Sequence, residues 1–172
     1  MINDVVAREA GAKGTGVFAL RGFAEGEFIF RRRYGRIVVA AAIPLLSEEE
    51  RRHLCELDFE RVAILLPPGC YLNHSCEPNA MRRGVTVFAW EPIEAGQEIT
   101  VDYRLNAFDD DERWTCLCGS KSCTGEVVGS FFSLPPGTQK AYLPHAPPFI
   151  CGEYRRRTRQ GRVEPDGSHP GR

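Results

Sequence analysis

"YLNHSCEPNA", residues 71–80, sets Asn73 and His74 just ahead of Ser75 and Cys76 and ends on Pro78-Asn79-Ala80. By residue type alone the stretch allows three chemistries. It is a nucleophile beside its base, a metal site, or a polar turn closing a core strand. The first is the weakest: two residues apart on a turn, the Cys76 and His74 side chains need not face each other, and no oxyanion donor is evident. The rest of the chain decides between the others.

The 172 residues suffice for one domain with a hydrophobic core plus an appendage. A formal charge of −1 gives no general electrostatic reason to bind nucleic acid or an anionic membrane. No apolar run reaches bilayer length, and MINDVVARE lacks the apolar core of a signal peptide. The expected location is therefore intracellular, cytoplasmic or nuclear. In a reducing compartment, seven cysteines argue for a metal more than for disulfides.

Residues 5–39 alternate β-branched and aromatic runs with glycine turns, and "AEGE" puts Gly26 in a turn that joins two strands as a hairpin. The period changes in "PLLSEEERRHLCELDFERVAILL". Ser47 and Glu50 form a capping box, and Leu54, Leu57, Val62 and Leu65 share a helical face, so one or two helices are expected over about residues 45–66. "GVTVFAWEPI" and "EITVDYRL" read as strands on either side of the Glu94–Gln97 turn. No internal repeat is evident. Beyond residue 134 prolines accumulate, and "EYRRRTRQGRVEPDGSHPGR" has little apolar content, so residues 135–172 are expected to be largely disordered.

"CLCGSKSC" arranges Cys116, Cys118 and Cys123 around a turn at Gly119. Structural zinc takes four tetrahedral ligands, so three local cysteines are incomplete. The fourth comes from Cys55, Cys70, Cys76, Cys151 or a histidine. Cys76 fits best, because it lies in a polar, proline-containing turn where a thiol has little packing value. Cys55 instead belongs to the helical pattern of that stretch.

"GAKGTGVF" lacks the spacing and Lys-Ser/Thr ending of a phosphate-binding loop and precedes a strand. On its own it reads as an ordinary hairpin turn rather than a ligand loop. Tyr103, ending "EITVDY", alone reads as a half-buried core residue. The ordered set is more specific: K-G-x-G-V-F, N-H-S-C-x-P-N, G-x-E-I-T-x-D-Y and C-x-C-x4-C-x-G. It resembles the SET-domain protein lysine methyltransferases with a post-SET zinc motif, over about residues 5–130.

That resemblance implies a mainly β (β-rich α+β) fold of small curved sheets. It includes a pseudoknot that brings Asp102-Tyr103 beside Asn73-His74, and a zinc-bound C-terminal segment. Residues 1–111 would form the SET domain and 112–134 the post-SET segment. The implied cofactor is S-adenosylmethionine, cradled by backbone at Lys13, Gly14, Thr15, Gly16 and Val17 and held by Asn73 and His74. Leu117 or Val127 would lie against its adenine. One zinc ion would be held by Cys76, Cys116, Cys118 and Cys123. Tyr103 would be the catalytic tyrosine, and Asp102 would support the fold. The implied partner is a lysine-bearing protein or peptide, histone or not.

The chain also departs from the family pattern. Cys70 precedes Tyr71 where relatives often carry arginine. Arg36 follows Gly35 where an acidic residue is common, and Val101 stands where some relatives have phenylalanine. Arg31, Arg32, Arg33 and Arg36 give a basic face, unlike the acidic groove that many relatives offer to histone tails. The alternative to an enzyme is a zinc-stabilised interaction module without turnover, but such a module would not need the glycine loop, Asn73-His74 and Tyr103 together.

Overall fold

The structure is a computed structural model and describes residues 4–161. The chain opens with a hairpin of β1 (Val5–Glu9) and β2 (Thr15–Ala19). Next come β3 (Phe28–Arg31) and β4 (Arg33–Val39), which leave Arg32 between them. A one-turn helix α1 (Glu48–Arg51) precedes β5 (Leu54–Glu56) and β6 (Arg61–Leu66). Then follow β7 (Asn73–His74), β8 (Ala80–Arg83), β9 (Thr86–Ala89) and β10 (Glu98–Val101). The chain ends its described part with β11 (Phe108–Thr115), β12 (Glu126–Ser130), α2 (Pro136–Tyr142) and α3 (Pro148–Arg159). The fold is mainly β, in small sheets ordered β1-β2-β10-β7, β3-β9-β8, β4-β6-β5 and β11-β12.

Alternation explains the main core. Val17 and Ala19 on β2, and Ile99 and Val101 on β10, point the same way and are almost fully buried. They pack with Phe30, Val87 and Ile93 into one cluster between the sheets. A second cluster joins Met81, Leu105, Phe131 and Leu134 to Tyr142 and Ile150 of the C-terminal helices. Complete burial of Phe131 and of Ile150 contributes about 1.5–3 kcal/mol each.

The decisive pairing is parallel: Thr100 and Val101 of β10 lie against Asn73 and His74 of β7. Asn79 fastens this junction. Its Oδ1 accepts from Thr100 N–H at 2.9 Å, and its Nδ2 donates to the Glu98 carbonyl at 2.8 Å. A side-chain amide thus stands in for a strand edge, and Asp102-Tyr103 emerge beside Asn73-His74.

Four sequence readings are corrected. The expected helices over residues 45–66 shrink to α1, which does carry the Ser47–Glu50 capping box. Leu54–Leu66 instead fold back as two strands. The Asp58 carboxylate makes that turn by accepting from the Glu60 and Arg61 N–H groups at 3.0 and 2.8 Å, without glycine or proline to announce it. Gly26 does lie in a turn (φ 78°), but β2 and β3 pair with β10 and β9 rather than with each other.

A local repeat is also present, offset by 70 residues. Phe23 and Ile93 exchange both backbone hydrogen bonds (2.8 and 2.9 Å). Around them, Gly26 N–H donates to the Ala89 carbonyl, while Gly96 N–H donates to that of Ala19. Finally, residues 135–161 are structured. Pro136 and Pro148 each sit at the start of a helix, where the missing N–H costs nothing. The spaced apolar residues Tyr142 and Ile150 dock these helices on Phe131. The remaining part of the expected disordered tail, 162–172, lies outside the described residues.

Candidate functional site

Around the first glycines, Gly14 adopts φ 76°, a conformation that suits only glycine, and its position is open to solvent. Gly16 is crowded. A Cβ there would come within 2.6 Å of Glu98 Oε1, 2.9 Å of Ala10 Cβ and 3.1 Å of Asn73 Nδ2. Asn73 Nδ2 donates to the Thr15 carbonyl at 3.1 Å and to Glu98 Oε1 at 2.8 Å. Lys13 is ion-paired with the other Glu98 oxygen. The glycine loop and the Asn-His turn are therefore joined at one place, through a glutamate that sequence reasoning did not single out. Val17 is fully buried between Ala7 and Ile99 of the neighbouring strands, so its side chain belongs to the core.

His74 is buried, and its Nδ1 accepts from the Tyr103 backbone N–H at 3.2 Å. Burial pulls its pKa down to about 4, against an opposing pull from Asp102. Asp102 itself is gripped by Arg104, whose Nε and Nη2 donate to its two oxygens at 2.9 and 2.8 Å. The Tyr103 hydroxyl donates to the Leu72 carbonyl at 2.7 Å. Although the residue is 40% exposed, enclosure of its hydroxyl end pushes the phenol up from its ordinary value. Trp114 stands edge-on to His74, with centroids 5.8 Å apart, and 6.4 Å from Tyr103.

The Sγ atoms of Cys76, Cys116, Cys118 and Cys123 all lie within 4.8 Å of one another. Sulfurs 2.3 Å from a tetrahedral centre would be about 3.8 Å apart, so only small adjustments separate this cluster from a post-SET-like zinc site. The Glu77 carboxylate anchors the intervening loop by accepting from the N–H groups of Lys121 (3.3 Å) and Ser122 (3.2 Å). The other three cysteines lie elsewhere. Cys55 faces Arg32 and Asn106, Cys70 is half-buried in the turn before Asn73, and the Cys151 thiol meets the Leu143 and Ala146 carbonyls. Leu117 is exposed, whereas Val127 is buried in the strand opposite Trp114.

Beside Tyr103 opens a cavity of about 690 Å³, bounded by β5 and β6, the start of β11 and Trp114. Arg32 and Arg82 line it, although only 6% and 7% exposed. Glu56 and Glu112 line it too, and burial raises the pKa of both. None of these four was legible as a site residue, because charged residues in or beside strands read as solvated faces, Arg32 among them in its run of three arginines.

Small sheets joined by the β7–β10 pairing, with a glycine loop and a cysteine cluster at that joint, define a SET-type fold. The family profile described as SET domain matches residues 14–104, and the chain belongs to that family. The histone-lysine N-methyltransferase Set2 of Drosophila melanogaster is 29% identical over 68% of this chain. The H3 lysine-4 specific histone-lysine N-methyltransferase of Saccharomyces cerevisiae is 38% identical over 32% of it. Each match spans only 6% of the relative's own length. Among solved structures, the methyltransferase domain of human SETMAR superposes with a TM-score of 0.54 at 24% identity. That match covers 71% of this chain and 56% of the human domain, a likeness of fold.

Proposed function

We propose that the protein is a protein lysine N-methyltransferase that uses S-adenosylmethionine. The observation that carries this reading is the position of Tyr103. Its backbone is bonded to His74 on the glycine-loop side, while its ring lines the cavity on the other. The bound cofactor supplies the electrophilic methyl group. Bare backbone at Gly14 suits close approach of such a ligand, and Gly16 lets Glu98 and Asn73 close beside it, with Lys13, Thr15, Val17, Asn73, His74 and exposed Leu117 as its surroundings. The backbone of Val17 contributes rather than its side chain.

Tyr103 acts as a positioning group for the amine. Its proton is engaged by the Leu72 carbonyl, so its oxygen keeps lone pairs to accept an amine N–H, leaving the amine lone pair free to attack. Its raised pKa keeps the phenol neutral. Asp102, taken up by Arg104, is poorly placed to accept a proton. In water a lysine of pKa about 10.4 is under ~1% free base at pH 8. The enclosed cavity and the buried Arg82 charge both favour the neutral amine.

Cys76, Cys116, Cys118 and Cys123 would hold one structural zinc ion, tying the Asn-His turn to the chain after β11. A lysine-bearing protein is the substrate class, and the proposed location is nuclear or cytoplasmic, as the names of the histone-lysine methyltransferase relatives suggest. Histones are the substrates named for the relatives; the basic face expected from Arg31, Arg32, Arg33 and Arg36 is reduced, because Arg32 is buried and Arg36 is ion-paired with Glu50. The test is incubation with isotopically labelled S-adenosylmethionine and a panel of lysine-containing proteins and peptides. Label should appear on lysine Nζ. Cofactor binding without transfer to any substrate would favour a module without turnover.

A further inference from the structure

Arg32 and Arg82 form an unusual pair. Arg32 fills the break between β3 and β4, and Arg82 sits on β8, yet both reach the cavity beside Tyr103 while more than nine-tenths buried. Among the described residues no carboxylate is hydrogen-bonded to either guanidinium. Arg32 donates to the Gly84 carbonyl at 2.8 Å and to Cys55 Sγ at 3.5 Å. Arg82 donates to the carbonyls of Asp102 at 2.8 Å and Tyr103 at 3.5 Å. The Nε of each is buried without a partner. Burial, and then the neighbouring Arg32 charge, bring Arg82 down to about 10. Two like charges in one enclosed place are unfavourable until an anion joins them.

We propose that Arg32 and Arg82 are an oxyanion-accepting subsite of the substrate cavity, which takes the side-chain carboxylate of an acidic residue next to the target lysine. Guanidinium groups suit this because their N–H forks match a carboxylate. Proximity fixes the spacing: the Arg82 guanidinium rests on the carbonyls of Asp102 and Tyr103, so an anion on it lies near the phenol. Glu56, Asp109 and Glu112 line the same cavity, so it offers partners to a ligand that carries both a carboxylate and an amine. This inference rests on the reading of Tyr103 as the methyl-transfer position.

The experiment has two arms, both on the full chain. In the first, matched peptides carry Glu, Gln or phosphoserine beside one lysine, and a further peptide ends in that lysine. The Glu peptide should show a KM about 10-fold or more below that of the Gln peptide, with similar kcat. Equal KM values for Glu and Gln overturn the proposal. Phosphoserine or a C-terminal lysine surpassing Glu overturns the assignment to an acidic side chain.

The second arm needs no turnover. Glutarate should raise the melting temperature of the wild type and raise that of Arg32→Lys and Arg82→Lys less. No stabilisation of the wild type, or equal stabilisation of both variants, meaning an adventitious ion only, overturns the subsite. If no peptide is methylated, the methyltransferase reading fails, and the glutarate arm still decides the anion site.

Discussion

Gly16 shows how a single missing side chain shapes the site. The space its Cβ would need is occupied by Glu98, Ala10 and Asn73, the residues that join the glycine loop to the Asn-His turn. Gly16→Ala should therefore weaken S-adenosylmethionine binding about tenfold or more, at a stability cost of about 1–3 kcal/mol. Calorimetric titration beside a urea melt separates the two effects; unchanged affinity would remove Gly16 from the cofactor's surroundings. Residue-scale legibility was uneven for a physical reason. Gly14 and Gly16, which alone suit any hairpin turn, gain meaning from their order ahead of N-H-S-C-x-P-N and the Asp-Tyr strand. Glu98, Arg32 and Arg82 look like solvated charges until the fold shows what surrounds them.

At the scale of elements, the C-terminal helices matter most, since they cover the second core cluster. Ile150→Ala should cost about 2–5 kcal/mol in urea unfolding, because a fully buried side chain leaves a cavity. A loss under 1 kcal/mol would mean that α3 is not docked as described. The same helix predicts a pH effect. Hydrogen bonds from Arg156 and then Arg157 hold the Glu153 carboxyl at about 2, and Arg157 also reaches Asp110 on β11.

A folded pKa below the ordinary glutamate value stabilises fully above about pH 4.5, and that contribution disappears as pH falls toward 2. Stability should decline across that window, and Glu153→Gln should flatten the decline; identical acid profiles would contradict this. These helices escaped the sequence reading because prolines at helix starts look like prolines in loops. The strands of residues 54–66 escaped it because their apolar spacing fits a helix equally well. The 70-residue repeat escaped because its identities, Val17-Phe18-Ala19 with Val87-Phe88-Ala89, Gly26 with Gly96 and Ile29 with Ile99, are few and of types common in any strand and turn.

Over the whole molecule, the β7–β10 pairing fastens the Asn-His turn from one side, and a zinc ion on the cysteine cluster would fasten it from the other. The family was legible because N-H-S-C-x-P-N, the Asp-Tyr strand and the cysteine cluster occur in order, each doing a job that few other residues can. Zinc in small structural sites is worth about 10–16 kcal/mol, so its loss should be felt far from the sulfurs. Metal analysis should give one zinc per chain. Cys76→Ser or a strong chelator should release it, lower the melting temperature and weaken cofactor binding; undiminished zinc in Cys76→Ser would reassign the fourth ligand.

The central claim is that Tyr103 positions a lysine amine for methyl transfer between the glycine loop and the cavity. Single-turnover transfer from labelled S-adenosylmethionine by wild type and Tyr103→Phe tests it most directly. Tyr103→Phe should lose about 10²-fold or more in rate with cofactor affinity nearly unchanged. Full activity in Tyr103→Phe would contradict it.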